Sequence, residues 1–314
     1  MTTYVLRRLV AFVPTMFVIS LLVFLMIQLV PGDPATLILG NEATATRVAE
    51  LREQMGLDRP LVTQAAEWYR RALSGDLGRS FYLDRSVVQA VGERLPLTFT
   101  LTAMALVVSL AIGVPAGIVA ALRHNTWFDT VVMGFAVLGL SIPSFVLGLL
   151  LIYYVALPIA FFPTGGFSGF QPSFLEGLRY LLLPALSLGT AQASFVARIT
   201  RSSVLEVLGL DYIRTARSKG MGTWQVTMRH ALRNALMPIV TVAGLVVGIL
   251  LGGAIVTETV FSLPGVGRLV ISAVQRRDYP VIQGVILFIT FAYLSVNLVT
   301  DLLYVLINPR VRFS

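Results

Sequence analysis

Long runs without a charged side chain constrain this sequence more than any other feature. A helix needs about 20 apolar residues to cross a ~30 Å hydrocarbon core at 1.5 Å per residue. Six charge-free runs have about this length, and they lie at 9–30, 95–122, 130–156, 180–197, 234–257 and 279–300. The sequence therefore predicts an all-α, polytopic membrane protein with six transmembrane helices.

The composition excludes several other classes of protein. Hydrophobic residues make up 56% of the chain and charged residues 13%, against about 25% charged residues in a soluble domain. The absence of cysteine excludes a disulfide scaffold. The single lysine, Lys219, is followed by Gly220, whereas a phosphate-binding P-loop needs Gly-Lys-Ser/Thr. We therefore expect no P-loop ATP site in this chain.

Two of the runs and the N-terminus need closer attention. The third run continues past Ala156 into a stretch rich in Pro and Gly, so we expect a helix that ends near Ala156 and a loop over 157–179. The fourth run has only 18 residues and contains Pro184 and Gly189. The first run is longer than the about 7–15 apolar residues of a secretory signal, so it predicts an uncleaved first span.

The charges orient the six predicted spans. The formal net charge is +8. The N-terminus, 123–130, 198–233 and the C-terminus together hold 12 basic and 4 acidic residues, and the remaining segments hold 12 of each. Because cytoplasmic loops carry the excess of Arg and Lys, both termini and the 198–233 loop are predicted to be cytoplasmic.

Two segments on the predicted external side have helical patterns. Between residues 31 and 94, one helix is expected over about 46–55 and another over about 61–73, with Asp58 as its cap and Pro60 in its first turn. An apolar helical stripe also follows Leu263-Pro264-Gly265, formed by Val266, Leu269, Val270, Ile271 and Val274. This stripe fits either a helix in the membrane interface or a substrate gate.

The 198–233 loop has the layout of two short helices. Asp211 is placed to cap a helix that runs through Lys219, Gly220 and Gly222 break it, and Thr223 is placed to cap a second helix. A DNA-binding helix-turn-helix is disfavoured because both ends are tethered to membrane spans. A basic loop near anionic lipid explains the charge but not the layout. A docking element for a cytoplasmic partner explains both.

The residues of this loop resemble a known family. The segments Asp211-Tyr212-Ile213-Arg214-Thr215-Ala216-Arg217-Ser218-Lys219-Gly220 and His230-Ala231-Leu232-Arg233-Asn234 resemble the cytoplasmic loop of binding-protein-dependent ABC importer permeases, written E-A-A-x3-G-x9-I-x-L-P. Ala216, Gly220 and Leu232 match that pattern. The family's Glu, first Ala, Ile and Pro are replaced by Arg214, Thr215, His230 and Arg233.

These replacements resemble the first, B-type permease of the dipeptide/oligopeptide/nickel/glutathione branch. Other segments resemble that branch across the whole chain. They are Pro31-Gly32-Asp33-Pro34, Gly56-Leu57-Asp58, Gly75-Asp76-Leu77-Gly78, Leu263-Pro264-Gly265-Val266-Gly267-Arg268, Arg277-Asp278-Tyr279-Pro280 and Asn308-Pro309.

The resemblance implies a type I ABC importer permease in a bacterial inner membrane. It implies a first span at 1–30, an external helical insertion at 31–94, and a five-span core at 95–314 with a coupling loop at 201–234. The implied partners are a second homologous permease, two cytoplasmic ATPases that carry ATP and Mg²⁺, and an external substrate-binding protein. The permease itself is expected to hold no catalytic site, cofactor, metal or nucleic acid.

The ATPase-coupling residues are expected to lie between Asp211 and Gly222. Tyr212, Ile213 and Ala216 form an apolar stripe, and Gly220 forms the turn, which needs a residue that tolerates positive φ. Arg214 and Arg217 either pair with acidic groups of the ATPase or serve membrane topology alone. The complete set is Asp211, Tyr212, Ile213, Arg214, Thr215, Ala216, Arg217, Lys219, Gly220 and Gly222.

Three other classes of protein compete with an importer permease: a secondary transporter, an intramembrane hydrolase, and a channel or purely structural subunit. A proton-coupled carrier needs titratable groups inside the membrane, but Glu258 and Asp301 lie near span ends and both histidines lie on the cytoplasmic side. A sodium-coupled carrier that uses helix breaks at prolines stays open. An intramembrane hydrolase needs a nucleophile near a base or a metal cluster, but the chain has no Cys and neither His lies in a predicted span. A channel is not indicated, because the sequence has no repeated polar ring motif. The substrate, whether peptide, glutathione, nickel chelate or glycoside, is not encoded in a readable motif.

Overall fold

The computed structural model describes residues 2–29, 33–80, 82–171 and 173–307. The regular structure in these ranges is helical, and this confirms the all-α fold. The one exception is an isolated antiparallel bridge between Arg79 and Ser86. The motif residues Pro31, Gly32, Asn308 and Pro309 and the basic C-terminus lie outside the described residues. The α-helices are α1 Thr2–Leu29, α2 Pro34–Leu39, α3 Ala45–Met55, α4 Leu61–Leu73, α5 Val87–Gly92, α6 Leu95–Leu122, α7 Trp127–Ser141, α8 Ser144–Leu151, α9 Phe174–Leu208, α10 Asp211–Ser218, α11 Thr223–Val226, α12 Leu232–Val260, α13 Val266–Gln275 and α14 Tyr279–Ile307.

Four helical stretches in the described residues are long and apolar enough to cross a membrane. They are Val87–Leu122, Phe174–Leu208, Thr223–Val260 and Tyr279–Leu302. The bent pair of α7 with α8 and its extension would make a fifth span, and α1 contributes a shorter apolar stretch, Val10–Met26. The predicted count of six spans therefore stays a prediction.

The third charge-free run is not one continuous helix, although it ends at Ala156 as predicted. Trp127–Ser141 and Ser144–Ala156 meet at an angle of 94°. Pro143 has no N–H to continue the helix, and it holds the preceding Ile142 in an extended conformation at φ −88° and ψ 116°. Pro143 therefore breaks the run into two helices.

The fourth run is part of the longest helix, α9, which begins before the predicted loop end at 179 and continues into the predicted cytoplasmic loop. Pro184 lies inside this helix, where the Ser187 hydroxyl donates a 2.9 Å hydrogen bond to the Pro184 carbonyl. Leu181, Leu183 and Leu188 are almost completely buried. Tertiary packing therefore sustains the helix through a residue that would break an isolated one.

The chain divides into two compact units. The first comprises Leu97–Pro264 with Met1–Val5 and Ser295–Ser314, and α9 lies at its centre. Glycines let α6 approach α9 closely: a Cβ at Gly113 would lie 2.6 Å from the Ala193 carbonyl oxygen, and one at Gly189 would lie 2.5 Å from that of Ala105. Small residues of this kind allow helix backbones in membranes to pack at short distance.

The second unit comprises Leu6–Pro96 and Gly265–Leu294. The ring of Phe24 in α1 contacts Trp68 in α4, and the Gln28 amide donates a hydrogen bond of 2.9 Å to the Gln64 side-chain oxygen, also in α4. The helices α5, α13 and the start of α14 share a buried cluster that includes Val87.

The insertion helices α3 and α4 confirm the predicted pattern, with one correction. Gly56 ends α3 in the left-handed conformation at φ +67°. Asp58 does not cap α4: Pro60 occupies the cap position, and no side chain caps the helix. Proline is tolerated at the start of a helix because no helical hydrogen bond needs its missing N–H there. Its ring also fixes φ, here at −54°.

The apolar stripe after Leu263-Pro264-Gly265 forms α13. Val266 and Leu269 are buried in the second unit, whereas Val274 is largely exposed. Part of the stripe therefore stabilises the protein's own core. Both interpretations of this helix, interface and gate, stay open.

Candidate coupling region

The segment Asp211–Gly222, here named the coupling region, folds as a short helix followed by a glycine turn. The helix α10 ends at Ser218, and the Gly220 N–H donates a 2.9 Å hydrogen bond to the Arg217 carbonyl. Gly220 has φ +82°, the left-handed conformation that glycine adopts without steric cost. The predicted helix-glycine-helix layout is therefore present.

The two predicted side-chain caps are wrong. Asp211 is the first residue of α10 rather than its cap, and Thr223 is the first residue of α11. Leu210 and Gly222 occupy the cap positions, with no side-chain hydrogen bond at either. These short helices are held by packing on the rest of the chain, so they form without the caps that an isolated helix would need.

The apolar side of α10 packs on the protein itself. Ile213 is 0% exposed and Ala216 is 9% exposed. They belong to a buried cluster with members from α6, α9, α11, the helical turn that follows α11, and the start of α12: Ile118, Ala121, Val204, Val207, Val226, Ala231 and Ala235. The stripe therefore fixes the coupling region to these helices. Tyr212 is the exposed exception, and its hydroxyl accepts a hydrogen bond from the Asn234 side-chain amide.

The opposite side of the coupling region is polar and basic. Arg214, Arg217 and Lys219 are all exposed, as are Thr215 and Gly222. Arg214 makes a 3.3 Å contact with Asp211, but both side chains are mostly exposed, so this pair contributes little to stability. The coupling region therefore has an exposed basic face. On its opposite face, the buried side chains of Ile213 and Ala216 pack it against the rest of the protein.

Continuous helical backbone leads from the end of the coupling region into α12. A π-helical turn, Thr227–Ala231, links α11 to α12, so helical backbone continues from Thr223 to Val260 over 38 residues. At 1.5 Å per residue this is about 57 Å. A displacement of α11 is therefore transmitted along a continuous helix.

The sequence did not indicate the ion pair beside this region. Arg201 of α9 donates two hydrogen bonds of 2.6 Å to the two carboxylate oxygens of Asp129 in α7. The His124 Nδ1 lies 3.1 Å from Asp129 Oδ2, and the Asn125 N–H donates to the same oxygen. The side chain of Asp129 is only 7% exposed. The pair ties the turn after α6 to α9.

Replacing Asp129 with alanine is expected to destabilise the protein. The half-buried guanidinium of Arg201 would lose both of its charge-assisted hydrogen bonds, which should lower the free energy of unfolding by about 2–3 kcal/mol. The thermal unfolding midpoint of the purified, detergent-solubilised protein measures this. Glu42→Ala removes a comparable contact to Arg47, but on an exposed surface, and should leave the midpoint unchanged. Equal midpoints for the two variants would contradict the assignment.

An apolar cavity of about 530 Å³ lies beside the break between α7 and α8. Its lining includes Ile112, Phe135 and Ile142, and its hydroxyl groups come from Thr190 and Ser194. No Asp, Glu, Lys, Arg or His lines it. In the described part of the chain, no three His, Cys, Asp or Glu residues are placed to hold a metal ion.

Glu258, near the end of α12, is a second buried acid of the first unit, besides Asp129. It is 0% exposed, and the Thr98 hydroxyl of α6 donates a 2.7 Å hydrogen bond to its carboxylate.

Comparison with known proteins shows what the chain is similar to. Residues 113–313 match the family described as binding-protein-dependent transport system inner membrane component, and residues 1–102 match the N-terminal family of the same systems. A Brucella abortus protein named as a peptide transport system permease is 44% identical over 314 residues, all of both chains. The glutathione transport system permease protein GsiC of Escherichia coli shows the same identity and coverage.

A solved structure supports the fold. The inward-facing MetNI methionine ABC transporter aligns with a TM-score of 0.60 and 17% identity, over 70% of this chain and 97% of that one. The family matches and the full-length relatives agree with the sequence-based resemblance. The chain belongs to the binding-protein-dependent transport system inner membrane components, as a non-catalytic permease subunit of an ABC importer.

Proposed function

We propose that this permease forms half of an import pathway for small peptides or peptide-like solutes such as glutathione, and that ATPase subunits drive it through the coupling region. The observation that carries the coupling assignment is the exposed basic face of Asp211–Gly222, held by Ile213 and Ala216 on the ends of α6, α9 and α12. The full-length identity to permeases named for peptide and glutathione transport supports the substrate class.

The proposed topology has six spans, with α1 as the first and the bent α7–α8 pair as the third. Both termini, the 123–130 turn and the 198–233 loop with its coupling region face the cytoplasm, because these four segments together carry the entire +8 excess. The insertion between α1 and α6 and the helix α13 then lie on the external side. The chain's division into a first span, an insertion over 31–94 and a five-span core over 95–314 belongs to this proposal.

The proposed partners follow from the family. Two cytoplasmic ATPases, which hold ATP and Mg²⁺, dock on the coupling regions of this chain and of a second, homologous permease. An external binding protein delivers the solute. The exposed cations Arg214, Arg217 and Lys219 fit an acidic surface on the ATPase. Movement of the ATPases displaces α10 and α11, and the continuous helix through the π-turn carries that displacement into α12.

Co-purification and uptake test this function together. The tagged chain, expressed in its own host and extracted in mild detergent, should bring along two ATPase subunits, a second permease and a binding protein. The ligand retained by that binding protein should be a peptide or glutathione, and uptake of it into vesicles should need ATP. Uptake that does not depend on ATP but is lost when sodium is removed, with no ATPase recovered, would instead indicate a secondary transporter.

Reversing the charge of Arg214 and Arg217 to Glu is expected to reduce the recovered ATPase at least tenfold. Both side chains are exposed, so the folded permease should remain intact. The double variant Arg47→Glu/Arg79→Glu makes the same change of charge on exposed positions of the insertion and should recover the ATPase normally. Normal recovery with the coupling-region variant would show that these arginines serve topology alone.

A further inference from the structure

Two motifs that the sequence separates by about 200 residues meet in the second unit. The Ser80 hydroxyl, just after Gly75-Asp76-Leu77-Gly78, donates a 2.5 Å hydrogen bond to the Asp278 carboxylate of Arg277-Asp278-Tyr279-Pro280. Both residues are 3% exposed. The Ser80 oxygen also accepts hydrogen bonds from the N–H groups of Tyr82 and Leu83. We name this contact, between 77–83 and 278–284, the Ser80–Asp278 joint.

The joint is closely packed on both sides of the hydrogen bond. A Cβ at Gly78 would lie 3.5 Å from the Pro280 Cβ, in ordinary van der Waals contact. One turn further along α14, Gly284 lies so close to Val87 that a Cβ there would overlap the Val87 side chain. The Val87 N–H donates to the Gly78 carbonyl at 3.0 Å. The insertion and the start of α14 are therefore held as one body.

The joint also contains two locally unfavourable features. Asp278 Oδ1 is buried and has no hydrogen-bond partner among the described residues. Arg277, the preceding residue, has φ +57°, which is uncommon for a residue with a side chain. Unpaired buried polar atoms and strained backbone are costly, and they concentrate at functional positions. If Ser80 and Asp278 served packing alone, two apolar side chains of similar shape would stabilise the contact as well.

The Asp278 carbonyl also accepts the first helical hydrogen bond of α14, from the Ile282 N–H at 3.0 Å. The same residue therefore binds the insertion through its side chain and begins a 29-residue helix through its backbone. A force on the insertion at Ser80 acts directly on the first turn of α14.

We propose that Asp278 is a positioning residue for transport, which with Ser80 passes the engagement of the external binding protein from the insertion to α14. This inference rests on the proposed function, because it needs a binding protein on the insertion's side. The joint stays closed while the insertion and the start of α14 move together. Breaking it uncouples the stimulation of the ATPases by the binding protein from their basal activity.

The test uses the complete transporter reconstituted in liposomes, with and without the liganded binding protein. The variant Ser80→Ala/Asp278→Ala removes both polar groups, so no buried carboxylate is left without its donor. The N–H groups of Tyr82 and Leu83 lose the Ser80 acceptor, so the assembled fraction of the variant is measured together with its activity. We expect the ratio of stimulated to basal ATPase activity to fall at least fivefold, with basal activity within twofold of the wild type. Asp278→Asn keeps an oxygen that accepts from Ser80 and should retain at least half of the stimulation.

Asp84→Asn is the matched control, because it neutralises an exposed carboxylate of the same loop and should leave the ratio unchanged. A ratio within twofold of the wild type in the assembled double variant would overturn the proposal. So would failure of the double variant to assemble, because the joint would then serve the fold alone. A wild-type complex with no stimulated activity would instead refute the proposed function.

Discussion

Valine in place of Gly117 is expected to prevent the first unit from packing, and the permease should fail to accumulate in the membrane. A Cβ at this position would lie 2.5 Å from the Ala197 carbonyl oxygen and 2.6 Å from the Thr200 Cβ. One of these obstacles is backbone, so α6 and α9 must move apart. We expect a loss of more than about 3 kcal/mol, beyond the usual range for overpacking. The amount of folded protein after detergent extraction measures it.

Gly134→Val is the matched control in another helix of the first unit. No atom lies within 4 Å of a Cβ at Gly134 in α7, and the residue is exposed along the helix. Its accumulation should equal that of the wild type, because the added side chain meets no other part of the chain. If both variants accumulated normally, the close approach of α6 to α9 would be refuted.

The same glycine contact positions the ion pair of Asp129. Gly117 lies against the backbone N of Arg201, and α6 ends only five residues later, at Leu122. The turn that follows carries His124 and then Asp129 of α7. Since α6 approaches α9 this closely, the turn lies within reach of the Arg201 guanidinium. Gly117→Val should therefore disturb the Asp129–Arg201 contact as well as the packing.

Periodicity and stop signals were sufficient where a helix boundary is decided locally. The bounds of α6 coincide with the charge-free run, and Gly56 and Gly220 adopt the left-handed conformations expected of stop residues. These features depend on a few neighbouring residues, since a charge ends an apolar run and a glycine permits positive φ. The sequence therefore predicted the helical fold and the helix-glycine-helix layout of residues 211–226.

Contacts between distant segments could not be predicted in this way. Asp129 and Arg201 are 72 residues apart, and Ser80 and Asp278 are 198 apart. In the sequence, each of these side chains resembles an ordinary polar residue of a loop or a helix end, so nothing local indicates its distant partner. Pro143 and Pro184 show the same limit: one breaks its helix and the other lies inside α9. The difference comes from the packing around each proline, which a single sequence does not show.

Valine in place of Gly220 is expected to reduce transport about tenfold while the complex still assembles. Gly220 has φ +82°, and an L-residue in the left-handed region costs roughly 1–2 kcal/mol, with 1.4 kcal/mol corresponding to about a factor of ten in an equilibrium. No atom lies within 4 Å of a Cβ at Gly220, so the cost is conformational and not a clash. ATP-dependent uptake into vesicles, normalised to assembled complex, measures the effect.

Two matched variants separate backbone conformation from side-chain bulk. Gly222→Val adds the same side chain two residues later, where φ is −64° and no atom lies within 4 Å, and uptake should stay near the wild-type value. Gly220→Asn should keep most of the uptake, because asparagine tolerates the left-handed conformation. The buried cluster that holds Ile213 and Ala216 of α10 also holds Val226 of α11. A strained turn between the two helices therefore shifts one of them against this cluster, and a shift of α11 moves the start of the continuous helix into α12. Wild-type uptake by a fully assembled Gly220→Val complex would show that the turn plays no part in coupling.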